Sequence, residues 1–191
     1  MVKRTITILD PTSKRRRQDI EMAPRRSTIE GGVVGFLWND KPNANFLLER
    51  FAELLVEKLG PAEIMHRHKL SASDPAPEEI INELSRKCDM VIIASGDCGS
   101  CTSYVIHDAV ELEKRRTPTV SVCTNEFLPL GRVEAEALNM PYLAILEIPH
   151  PLGGIKIEAV RAKADDAIGE LIVLVRTSKE ELKERSKRGS N

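Results

Sequence analysis

Three observations predict an α/β fold, a three-layer sandwich around a mostly parallel sheet of about five strands. Short apolar runs alternate with longer amphipathic stretches from residue 33 onward. Gly and Pro punctuate the changeovers, as at Gly60-Pro61. The run Met90–Ala94 is apolar at both parities, which suits a central parallel strand covered on both faces. Together these suggest a flavodoxin-like layout.

Taken in order, Val33–Trp38 reads as a buried strand. Residues 46–59 place apolar side chains at 47, 48, 51, 54, 55 and 59, which is helical spacing. Gly60 and Pro61 end that helix. Glu63–His68 is a second strand. Residues 77–87 form a helix, with Pro77 at its first turn and Glu78 and Glu79 complementing its dipole. The third strand, 90–94, hands over to a helix at 102–116. A fourth strand at 118–123, a helix at 126–138, a fifth strand at 142–148 and a long helix at 155–175 complete the alternation. The expected organisation is a basic N-terminal arm (1–30), an α/β domain (31–176) and a polar C-terminal tail (177–191).

Charge is uneven. The formal net charge is −1, yet residues 1–30 carry a net +4 and residues 176–191 a net +3. The domain between them is therefore acidic, and only 4% of the chain is aromatic, which argues against a nucleic-acid surface. The run Lys14-Arg15-Arg16-Arg17 reads as a solvated, mobile arm, with contact to an anion, partner or neighbouring subunit as the alternative. A 41% apolar and 30% charged composition is that of a soluble domain. No apolar run approaches the ~18 residues of a membrane span, and the first residues lack a secretory signal's apolar segment. A cytoplasmic location without membrane contact is expected. A dimer through the arm or the last helix is an open possibility.

In parallel α/β sheets the ligand crevice lies at the carboxyl ends of the strands. Four loops there hold most of the unusual polar residues: Asn39–Asn43, Gly96–Thr102, Thr124–Glu126 and Pro149–Gly154. The second, GDCGSCT, is the most informative. Of the four cysteines (Cys88, Cys98, Cys101, Cys123), Cys98 and Cys101 stand between a strand and a helix. Unpaired N–H groups at a helix start stabilise a thiolate. A C-x-x-C pair can close a disulfide, so Cys98 can attack and Cys101 can resolve the adduct. Gly96 and Gly99 permit a tight turn. Asp97 raises a neighbouring thiol's pKa unless it is turned away or acts as a base.

Other readings stand beside this one. A zinc or iron–sulfur site would need Cys98 and Cys101 with Cys123 or His150, at no standard spacing. The pair could also simply pack a tight turn. His150, fixed between two prolines, could donate a proton or hold a thiolate, or be a plain turn residue. Gly153 and Gly154, before the last helix, suit an anion site, a carboxylate above all, or a turn. Candidate substrate contacts are Asn39, Lys41, Ser100, Thr102, Thr124 and Glu126, with Lys41 able to bind a carboxylate. Glu126 equally suits a helix N-terminus. His107 reads as a supporting residue, and Asp108 shares the Cys101 face of the helix. His66 and His68 alternate on an edge-like strand and could bind a metal or stay solvated.

The stretch Gly96–Thr102 resembles the U-G-S-C family, in which some members carry selenocysteine at the position of Cys98. The resemblance extends to Lys41-Pro42-Asn43-Ala44, His107–Glu113, Pro118-Thr119-Val120, Cys123-Thr124 and Pro149-His150-Pro151-Leu152-Gly153-Gly154. DCGSCT is similar, more distantly, to the U-G-T-C-T segment in the selenoprotein subunits of glycine, sarcosine, betaine and D-proline reductases. There a selenol attacks a substrate carbon and releases its amine reductively. The resemblance implies Cys98 as nucleophile and Cys101 as resolving thiol, with sulfur replacing selenium. It does not carry a substrate over.

The sequence therefore leads to a cysteine-based reductase or oxidoreductase without a cofactor. It would act on a small, anionic molecule and draw electrons from a dithiol reductant such as a thioredoxin-like protein. The alternatives are a metal-binding protein and a non-catalytic, reductase-like subunit.

Overall fold

The computed structural model describes residues 19–188. Five strands alternate with helices: β1 (Val33–Trp38), α1 (Ala44–Leu59), β2 (Glu63–His68), α2 (Glu78–Lys87), β3 (Met90–Gly96), α3 (Gly99–Lys114), β4 (Thr119–Thr124), α4 (Leu128–Ala137), β5 (Ile145–Ile148), α5 (Ile157–Arg176) and α6 (Lys179–Arg188). The sheet order is β2-β1-β3-β4-β5 and every pairing is parallel. Helices α1 and α5 pack together on one face, with α2, α3 and α4 on the other, giving the three expected layers.

The burial pattern explains the order. β3 and β4 are buried along their whole length, as inner strands covered on both faces must be. β2, with exposed and half-buried positions, forms one edge. There His66 stacks on Phe36 and His68 on Trp38, their register partners in β1. Among the described residues no helix is long and apolar enough to cross a membrane.

The largest differences from the sequence expectation fall in three places. α3 begins at Gly99, three residues early, because Cys98 itself caps it. β5 is shorter than expected, since Tyr142–Ala144 lie outside the strand while Leu143 and Ala144 remain buried. Within the polar tail, residues 179–188 are helical, and Leu182 is buried against the domain. A capping box starts that helix: Ser178 N–H donates to Glu181 Oε2 at 2.9 Å, and Glu181 N–H donates back to Ser178 Oγ at 3.2 Å.

The Lys14–Arg17 run lies outside the described residues. The part of the N-terminal segment that is described packs on the domain through Met22, Ala23 and Ile29. The Arg25 guanidinium and Glu113 carboxylate, both fully buried, pair at 3.0 Å. Glu113 also accepts the N–H groups of Ala23 and Thr119 at 2.7 Å each. This ties the segment to the far end of α3.

Candidate active site

The strand order reverses between β1 and β3, and their carboxyl ends open the crevice of the fold. The loop after β1 is stitched to β3 there. Asn39 Nδ2–H donates to Ser95 O at 2.9 Å, and Ser95 N–H donates to Asn39 Oδ1 at 2.8 Å. Asn39 is fully buried, and both bonds organise the loop. The Ala94–Ser95 peptide bond is cis.

Gly96 ends β3 against β4. A Cβ there would stand 2.7 Å from Cys123 Sγ and 2.9 Å from Thr102 Oγ1, so no larger residue fits. Next, Cys98 takes an extended conformation as the N-cap of α3, and its Sγ accepts the Cys101 N–H at 3.4 Å. Thr102 fastens the turn, its hydroxyl donating to Cys98 O at 2.6 Å and its N–H to the same oxygen at 3.1 Å. It is fully buried. Cys98 and Cys101 are joined as a disulfide, with Cα atoms 5.4 Å apart. Cys101 is only 2% exposed, whereas Cys98 is half-buried beside exposed Gly99 and Ser100.

Asp97 turns inward. Its side chain is 5% exposed, and Lys41 Nζ pairs with Oδ1 at 3.3 Å. The Lys41 backbone is held in turn by Trp38, whose Nε1–H donates to Lys41 O at 2.9 Å. One Asp97 carboxylate oxygen, Cys98 Sγ and Cys101 Sγ all lie within 4.8 Å of one another. Neither Cys123 nor His150, the further ligands considered from sequence, belongs to that group. In the disulfide form two of the three donors are bonded to each other, and the third faces an ammonium group.

The loop after β5 leans over the same carboxylate. A Cβ on Gly153 would stand 3.8 Å from Asp97 Oδ2. Asn43 Nδ2–H holds this loop through Leu152 O at 2.8 Å and Ile155 O at 3.0 Å. The helix N-cap is Lys156, so Gly153 and Gly154 form a turn ahead of α5, not its N-terminal amides. At the β4 end, His150 is exposed and sits against Thr124. Its Nδ1 lies 3.2 Å from Thr124 Oγ1, and its N–H donates to Asn125 Oδ1 at 2.7 Å. Glu126 lies in the exposed turn before α4, where Asn125 Nδ2–H reaches it at 3.4 Å. His107 is half-buried and its ring lies 5.8 Å from that of Tyr104.

A fifth loop joins these four. Ser73, after β2, lies 2.9 Å from Ser100, hydroxyl to hydroxyl, beside the disulfide. Buried Lys69 holds that loop, donating to Asp74 O and Asp108 Oδ2 at 2.6 Å each, while Ala76 N–H donates to Asp108 Oδ1 at 2.8 Å. Sequence reasoning missed Ser73, although the rule that picked the other loops also covers the loop after the second strand.

The remaining cysteines are chemically quiet. Burial pushes the Cys123 thiol up to about 12 and the Cys88 thiol up to about 11. Cys88 packs against Met65, with its Sγ 3.9 Å from the thioether sulfur.

The model of the UGSC family matches residues 7–177 of this chain. No curated protein matches it. A crystal structure of adenylate cyclase from Rhodopirellula baltica aligns with 77% of this chain and 99% of its own, at 14% identity and a TM-score of 0.37. A likeness that low carries no argument.

Proposed function

The chain belongs to the UGSC family, and from that premise we propose that it is a thiol-dependent reductive enzyme of the cytoplasm. The observation that carries this reading is the asymmetry of the disulfide: Cys98 caps α3 within reach of solvent, and Cys101 lies beneath it. A nucleophile must meet its substrate, whereas a resolving thiol need only meet the adduct. Lys41 further offsets the charge of Asp97, which would otherwise oppose a thiolate at Cys98.

The cycle starts from the dithiol. Cys98 thiolate attacks an electrophilic carbon or heteroatom of a small, anionic substrate. The bond to the leaving group breaks, and that group departs with the electron pair and takes a proton. His150, at the rim of the crevice, is the proposed donor. Cys101 thiolate then attacks Cys98 Sγ. The disulfide forms, and the remaining substrate fragment leaves with its bonding pair and is protonated. Two thiols have lost two electrons, the substrate has gained them, and an external dithiol such as a thioredoxin-like protein restores the pair. Lys41 and the amides near Gly153 are the proposed carboxylate contacts. The similarity of DCGSCT to the reductase segment supports this chemistry without naming the substrate.

Cys101→Ser tests it. Bromoacetate, a small anionic electrophile, should give one stable adduct on Cys98 of the variant, and faster than neutral bromoacetamide does. No preference between the two, or labelling elsewhere first, contradicts the proposal. Stoichiometric metal in the reduced protein, lost with either cysteine, would favour the metal-binding alternative.

A further inference from the structure

The resolving step demands a thiolate from Cys101, yet Cys101 is 2% exposed. A thiol buried that deeply has no bulk water to take its proton. The base within reach is Asp97, with a carboxylate oxygen in the same 4.8 Å cluster as both sulfurs. Its side chain is 5% exposed, and Lys41 pairs its charge from the adjacent loop at 3.3 Å. Oδ1 nevertheless receives no hydrogen bond and is fully shielded from solvent. Buried carboxylate oxygens are normally hydrogen-bonded, so this one, facing the Lys41 ammonium without a hydrogen bond, keeps acceptor capacity in the buried cluster.

We propose that Asp97 accepts the Cys101 proton as Cys101 attacks Cys98, and that Lys41 is the positioning residue whose ion pair holds the carboxylate in place for this. The inference rests on the use of the two cysteines proposed above and assigns the proton that reading leaves unplaced. In the step, the Cys101 S–H bond breaks and its proton passes to the Asp97 carboxylate. The freed sulfur pair forms the bond to Cys98 Sγ. The bond from Cys98 to the bound group breaks, and that group leaves with the electron pair. Asp97 then holds a proton that the leaving group can take. The ionisable groups facing Asp97 are Lys41 from the β1 loop, Cys98 and Cys101 from α3, and Cys123 from β4. Gly153 closes the β5 side without an ionisable side chain.

Stopped-flow reaction of the reduced, chelator-treated protein with 5,5′-dithiobis(2-nitrobenzoate) separates the two steps. A first phase, dependent on reagent concentration, reports attack by Cys98. A second, independent of it, reports resolution by Cys101. Asp97→Asn should leave the first phase fast and slow the second by about 100-fold near neutral pH, the usual scale of general-base catalysis. The difference between the two proteins should shrink as pH rises and the thiol ionises unaided. Lys41→Met should slow the second phase more than the first, because it frees the carboxylate from the ion pair that holds it beside the sulfurs. If Asp97→Asn does not fold, that selective slowing carries the test. A second phase unchanged in Asp97→Asn, or slowed no more than the first in Lys41→Met, overturns the assignment while leaving the roles of the cysteines intact. Absence of a fast first phase in the unsubstituted protein overturns both.

Discussion

Gly96 and Gly99 flank the same turn but answer to different constraints. A methyl group on Gly96 would collide with Cys123 Sγ at 2.7 Å and with the Thr102 backbone at 3.2 Å, whereas around Gly99 there is nothing within 4 Å. Gly96→Ala should therefore cost about 1–3 kcal/mol, the usual range for overpacking, and Gly99→Ala far less. Urea unfolding of both variants checks this; equal costs would contradict it. From sequence the two glycines were equivalent, because the difference lies in β4, which only the fold brings alongside. The same holds for Thr102 and Asn39. Both were legible as polar residues of the right loops, yet their hydrogen bonds go to backbone and they are fully buried. The two buried thiols carry a pH prediction. With Cys123 pushed up to about 12 and Cys88 up to about 11, both stay protonated and resist iodoacetamide in the native protein at pH values below about 10. Peptide mass spectrometry should find them labelled only after denaturation.

α3 connects the site to the rest of the fold. Its first residues carry the disulfide, its middle carries Asp108, and its last turn carries Glu113. Helical spacing had put Asp108 on the Cys101 face, but not its partner Lys69, which comes from the end of β2 across a fold still unknown at that stage. The pair is almost fully buried, and Lys69 also fixes the loop that brings Ser73 to Ser100. Asp108→Ala leaves a buried ammonium without its carboxylate and should cost about 3–5 kcal/mol. Replacing both partners with apolar residues should recover much of that loss. Denaturant midpoints of the single and double variants measure the coupling; additive losses would contradict it. α6 illustrates a signal that was present and not used: Ser178 and Glu181 stand at capping-box spacing, but the strongly polar composition of 179–188 drew attention instead.

Across the whole molecule, strand order decides which loops meet. Alternation of apolar runs was enough to predict five parallel strands in three layers. It could not rank the loops, because the reversal between β1 and β3 depends on long-range pairing. That reversal is why Lys41 and Asp97, distant in sequence, meet beside the disulfide. The hydrogen bonds of His150, by contrast, tie it to Thr124 and Asn125. The core is assembled from all five strands, so the fold does not depend on the disulfide. Reduction opens only a short loop and should lower stability by about 2 kcal/mol while unfolding stays cooperative. A broad or biphasic transition in dithiothreitol would contradict this. The central claim is that Cys98 is an activated nucleophile and Cys101 its shielded partner. The most direct test is the pH dependence of alkylation of each cysteine in the reduced, metal-free protein, read by peptide mass spectrometry. Cys98 should label rapidly with a midpoint well below the ordinary thiol value of about 8.5, and Cys101 should lag behind it. Equal, slow labelling of both, with a midpoint at or above that value, would contradict it.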